Sequence, residues 1–200
     1  MALQLTTELD AVNTMLSVIG ESPVNSIHDT GLVDAVIAVQ ILHETMREVQ
    51  TTGWSWNTDE NYSLSPTFPY PGEIYLPANT LSVDPSDSSK DFVQRGLKLW
   101  DKAKQTFKFS EPVKVDITRL LEFDEIPQVA RHYIMVKAAR VFQDRVVGST
   151  TLSGFNEKDE LRAFVKLKNL EAEVADLTIY NQADTIRILG WPRITVFGKG

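Results

Sequence analysis

Cysteine is absent from all 200 residues, which excludes disulfides, thiolate chemistry and any cysteine-based zinc site. No uninterrupted apolar run approaches the roughly 18 residues that a membrane span needs. The opening MALQLTTELD has neither the basic segment nor the sustained apolar segment of a secretory signal, so the chain is expected to be soluble and made without one. A reducing cytoplasm fits that expectation. Motifs that carry chemistry are also missing: there is no HExxH, GxSxG, Walker loop or GxGxxG. The three histidines, His28, His43 and His132, stand apart, and a lone helical histidine is more often structural than catalytic. No metal site, cofactor site or catalytic residue is therefore assigned. The formal charge is −7, with acids and bases interleaved, which argues against a surface that grips nucleic-acid phosphates.

What is present is a hydrophobic content of 42%, enough for one globular domain with a sizeable insert. Residues 6–20 place Leu9, Val12, Leu16 and Ile19 at helical spacing, with Thr7 as N-cap, Asp10 three residues on and Gly20 as stop. A second helix is expected over 30–52, ending at Gly53. From 54 to 121 short aromatic and β-branched runs are punctuated by Pro, Gly, Ser and Asp, which is the chemistry of strands and turns. A third helix is expected over 124–147, with Asp124 as cap and Pro127 in its first turn. A fourth, over 156–182, starts from Asn156 and is amphipathic through Phe164, Leu167, Leu170, Val174 and Leu177. The expected fold class is α+β, mainly α: an antiparallel four-helix bundle with a β-rich insert between helices 2 and 3. The implied domains are a bundle made of 1–53 and 122–183, an insert at 54–121, and an extended docking tail at 184–200. That tail carries Ile186, Trp191, Ile194, Val196 and Phe197 outside any helical period.

The third helix is unusual because its apolar residues leave little face for water. Ile126, Val129, Ala130, Tyr133, Ile134, Val136 and Val141 cover one broad arc, and Ala139, Phe142 and Val146 extend it round the other side. Either it is the central helix, with Lys137 and Arg140 snorkelling at its edges, or one arc is covered only by another copy of the protein. Helix 2 is similarly apolar, which tilts the expectation toward an obligate assembly.

Two candidate chemistries are present in the residues. Glu122, Asp124 and Glu125 could pair as acid and base for glycoside hydrolysis, though acids at a helix start are better read as caps and dipole partners. The tryptophans Trp54, Trp56, Trp100 and Trp191, near a run of cations from Lys90 to Lys108, could form a stacking platform. Aromatic packing inside small sheets, with lysines guarding their edges, is the plainer account.

Three stretches resemble one family: LDAVNTMLSVIGESPVNSI (9–27), GWSWNTDENYSLSP (53–66) and FDEIPQVARHYIMVKAARVFQDR (123–145). The matching positions include Asn13, Gly20, Pro23 and Val24, then Gly53, Trp54 and Asn57, then Pro127, Arg131, Lys137, Arg140 and Phe142. Their order and spacing are similar to those of the podovirus tail tubular protein A family, the head-to-tail adaptors of short-tailed phages. The resemblance covers roughly 5–182; 66–115 agrees only in character and 184–200 does not align.

The resemblance implies a structural virion protein of the short tail, assembled in the host cytoplasm, and not an enzyme. It implies a ring, twelve subunits in the family, between the portal protein and a tubular nozzle (tail tubular protein B), with tail fibres near the junction. Genomic DNA would pass through the bore without specific binding, and no membrane insertion is implied. On this view Arg131, Lys137 and Arg140 are candidates for ion pairs between helices or subunits, with Phe142 a further interface candidate. Trp191 and Ile194 are candidates for tail docking. The alternatives are a tail-associated glycan hydrolase, or a monomeric head-completion adaptor of a long-tailed phage.

Overall fold

The computed structural model describes residues 4–28, 31–148 and 150–181, and within the last helix the side chains of 157–174. Helix α1 (Glu8–Val18) begins on the capping box expected of Thr7 and Asp10: the Thr7 hydroxyl accepts from the Asp10 N–H, and the Asp10 carboxylate accepts from the Thr7 N–H at 3.0 Å. It ends where Gly20, at φ +83°, and Glu21 donate back to the Ser17 and Leu16 carbonyls. The chain then folds over α1, because the Asn13 amide both donates to and accepts from the Val24 backbone, at 3.0 and 2.7 Å. That pairing explains why Asn13 and Val24 belong together in the 9–27 stretch.

Helix α2 (Val33–Thr51) leads into the strands β1 (Thr58–Leu64), β2 (Gly72–Glu73), β3 (Thr80–Pro85), β4 (Phe92–Arg95), β5 (Lys98–Asp101), β6 (Lys108–Phe109) and β7 (Val113–Arg119). All strands among the described residues thus lie between α2 and α3. They form an antiparallel sheet in the order β1-β7-β3 and two small two-stranded pairs, β2 with β6 and β4 with β5. The sheet's edge at β1 carries a bulge between Asp59 and Tyr62, where Asn61 takes φ +56° and its N–H bonds the Asp116 carboxylate at 2.8 Å. Ile74, Leu99, Phe109 and Val115 pack into a core of the insert's own, separate from the helical core.

A short 3-10 turn (Phe123–Glu125) precedes α3 (Gln128–Val146), and α4 (Thr150–Asn181) closes the described chain. Asp124 therefore lies in that turn rather than capping α3, and Pro127 itself occupies the cap position. Asn156 does not open α4 either, since the helix is already formed at Thr150.

The four helices do not make the expected antiparallel four-helix bundle. The helices have 11, 19, 19 and 32 residues, from about 16 Å for α1 to about 48 Å for α4 at 1.5 Å per residue, and α4 packs on α3 without closing a ring of neighbours with α1 and α2. Instead α3 is a hub that packs against α1, α2 and α4, while α4 lies chiefly against α3. The result is a helix-rich α+β fold. From Val129 to Gln143 every residue of α3 except His132 is buried or half-buried, so its all-round apolar character is explained within a single chain.

Candidate interaction surfaces

The strands are tied to the helical body by a joint built from two buried amides. Gln50, on the last turn of α2, is fully buried; its Nε2 donates to the Leu121 carbonyl at 3.0 Å and its Oε1 accepts the Leu121 N–H at 2.8 Å. Asn57 answers from the other chain crossing, donating through Nδ2 to the Gln50 and Arg119 carbonyls and accepting the Trp54 N–H at 2.8 Å. The Trp54 indole, only 3% exposed, donates to the Val49 carbonyl at 2.7 Å. The chain entering the strands and the chain leaving them are therefore clamped to the same helix end, by groups that burial makes costly to leave unpaired. Helix α4 closes the outside of the joint: the Lys168 ammonium sits 4.6 Å from the Trp54 ring centre, and Glu171 accepts the Ser55 N–H at 2.6 Å.

Each basic residue singled out on α3 has partners within the chain. Arg131, 5% exposed, donates to the carbonyls of Ile126, Thr6 and Asp124 and lies over the Phe123 ring, so it fastens the α3 entry to the segment that precedes α1. Lys137 bridges to Glu48 of α2 at 2.8 Å. Arg140 binds Glu160 of α4 and, at 3.2 Å, Asp144 of its own helix; the Glu160 bond raises the arginine's already high pKa. Phe142 is completely buried in the chain's own core. Trp191 and Ile194 fall outside the described residues. Gln50, Glu48 and Glu160 drew no notice in the sequence; a polar residue inside the α2 stripe Met46, Val49, Gln50 was the available signal for the first.

The acidic group at 122–125 is arranged as a cap. The Glu125 carboxylate accepts the Glu122 N–H at 3.1 Å, and Asp124, its side chain 81% exposed, faces Arg131 at 3.6 Å. Among the described residues no cluster of His, Asp and Glu is arranged to hold a metal ion. In the insert the cations are largely spoken for: Lys98 pairs with Glu73 and Lys102 with Asp91, each at 2.8 Å, and Arg95 stacks at 4.2 Å on a Trp100 ring that is itself set edge-on to Phe107. This is internal aromatic packing rather than a basic groove.

Apolar side chains do reach the surface on two separate helices. Val33 and Val36 are 71% and 59% exposed on the outer side of α2, and Leu161 and Val165, one turn apart on α4, are 62% and 47% exposed. Among the described residues no helix is long and apolar enough to cross a membrane.

What the described residues offer is a joint of buried amides, ion pairs between helices and exposed apolar side chains on α2 and α4, the features of a structural scaffold. The chain belongs to the tail tubular protein family, whose pattern it matches over residues 9–177. It is similar to tail tubular protein A of Klebsiella phage KP34, at 30% identity over 154 residues that make up 76% of this chain and 81% of that one. Family membership makes it a structural protein of a phage tail and so a component of the virion.

Proposed function

We propose that the protein is the head-to-tail adaptor: a ring, twelve subunits in the fullest form of the reading, that joins the portal to the tail nozzle and forms part of the conduit for the genome. The observation that carries this is the pair of apolar faces on α2 and α4. A ring closes through heterologous contacts, so every subunit must offer two different complementary surfaces, and Val33 with Val36 and Leu161 with Val165 are two such surfaces on different helices. The Lys137–Glu48 and Arg140–Glu160 pairs hold α2 and α4 at fixed positions against α3, which keeps the two faces in register from one subunit to the next. The helices form the ring wall, and the strand-bearing insert and the tail at 184–200 reach toward the portal, the nozzle or the fibres. A net charge of −7 suits a conduit, because cations fixed along the bore would bind phosphates and retard the DNA.

The test is the light-scattering mass of the purified protein, alone and mixed with the portal protein of the same phage. A complex with the mass of a closed ring on the portal is expected, and Leu161→Lys should abolish it while leaving the thermal unfolding of the free subunit unchanged. Absence of any complex with the wild-type chain refutes the reading.

A further inference from the structure

A groove of about 320 Å³ runs between α3 and α4, lined by the rings of Tyr133 and Phe164 and by Leu161, Arg140, Glu157 and Glu160. The two rings lie 5.4 Å apart between centres, and the hydroxyl of Tyr133, a residue only 7% exposed, makes no hydrogen bond among the described residues. Arg140 is held by both Glu160 and Asp144, and Glu157 is exposed with no partner among the described residues. One cation therefore faces three acids, a net charge of −2. Cations one turn away do not cancel it: Lys137 is paired with Glu48 and Arg162 with Asp159, while Lys158 projects about 100° round α4 from Glu157 and does not line the groove. Aromatic faces, surplus carboxylate and a free phenolic oxygen together suit a guanidinium, which stacks on the rings and donates to the oxygens.

We infer that this groove receives Arg47 from the α2 of a second copy of the chain. Val33, Val36, Gln40 and Arg47 follow one another at three, four and seven residues and form a single exposed stripe on the outer side of α2. Arg47 is exposed on that stripe and its guanidinium makes no ion pair or hydrogen bond among the described residues, since the neighbouring Glu44 is engaged by Arg145. On α4 the matching ridge is Glu157, Leu161 and Val165, each four residues from the next. Laid antiparallel, with Val36 of one copy on Val165 of the other, α2 carries Arg47 about 16 Å along and α4 carries Glu157 about 12 Å along, a difference that an arginine side chain spans. The apolar ends of the two stripes then meet each other and the charged ends meet each other, +1 against −2. Each copy offers α2 on one side and the groove on the other, which is the heterologous contact that the ring reading needs and on which this pairing rests.

Because the chain has no native cysteine, two full-length populations can be mixed at high concentration, one with Val36→Cys and the other, carrying a mass tag, with Val165→Cys, and joined by a short bis-maleimide. The mixed dimer should form faster than when the second chain carries Glu60→Cys on exposed β1 instead. Arg47→Glu in the Val36→Cys chain should slow it about tenfold, as should Glu157→Lys in the Val165→Cys chain, and the two together should restore it. Arg47→Glu placed in the Val165→Cys chain should change nothing, because that chain lends its groove and not its α2. Arg47 and Glu157 are exposed and pair with nothing described in their own chain, so neither variant threatens the fold. A cross-link no faster than the Glu60→Cys control, a rate indifferent to the two charges, or a double variant that stays slow overturns the inference. The cross-link needs two touching subunits and no portal, so a charge-dependent cross-link stands even if no ring forms. A ring on the portal whose mass ignores Arg47→Glu overturns the pairing and leaves the ring standing.

Discussion

Replacing Asn57 with alanine probes the joint where the strands meet the helices. The side chain, 3% exposed, makes three hydrogen bonds, to the Gln50 carbonyl, the Arg119 carbonyl and the Trp54 N–H. At about 1 kcal/mol net for each, and more where a buried backbone group is stranded, the loss comes to roughly 3 kcal/mol. For a chain of this size that lowers the unfolding midpoint by about 6–12 °C. Asn57→Asp is the sharper variant, because it keeps the acceptor facing the Trp54 N–H but turns a carboxylate toward two carbonyl oxygens. It should be at least as destabilising as alanine despite being isosteric. Gln50→Ala strands both the N–H and the carbonyl of Leu121, and since Asn57 also binds the Gln50 backbone the two losses should couple by about 0.5–3 kcal/mol in a double-mutant cycle. Urea titration followed by tryptophan fluorescence reports directly, with Trp54 inside the joint. If Asn57→Ala and Asn57→Asp both unfold within about 0.5 kcal/mol of wild type, the amides are not what fixes the strands to α2.

Two further outcomes follow from single side chains. Arg131→Ala leaves the Ile126, Thr6 and Asp124 carbonyls without their shared donor and should cost about 2–4 kcal/mol by denaturant titration, with Arg131→Lys recovering little because a single ammonium cannot span the same three carbonyls. The Thr7 N–H and hydroxyl hold the Asp10 carboxyl below its usual range, so this cap stabilises the fold above the unfolded pKa of about 3.9 and is lost as pH falls through the lower, folded value. Asp10→Asn should therefore flatten the decline of the thermal midpoint as pH falls below about 4, and an unchanged slope would exclude the linkage.

Local pattern made much of the molecule legible before any coordinates. Thr7, Asp10 and Gly20 bound α1 because capping depends on residues only a few positions apart, and the turn-rich, β-branched run after Gly53 places the strands where they occur. Trp54 and Asn57 stand out through the family resemblance, and both prove to be members of the joint. Their partners were not legible, since Gln50, Leu121 and Arg119 come together only when chain segments separated by some seventy residues meet. The start of α4 was misplaced for a related reason: Asn156 is a good cap by composition, but the helix begins a turn and a half earlier, at Thr150.

The sequence by itself determined that the described residues hold four α-helices with the strands between the second and third, that the chain has no cysteine chemistry, and that it resembles the tail tubular proteins. Tertiary structure alone decided that α3 is a hub rather than one wall of a bundle. Helical periodicity records how much of a helix is apolar and on which sides, but not what covers it. A side of α3 buried by α4 and a side buried by a second subunit would leave the same pattern, and only the packed chain, with Phe142 enclosed and Leu161 exposed, distinguishes them.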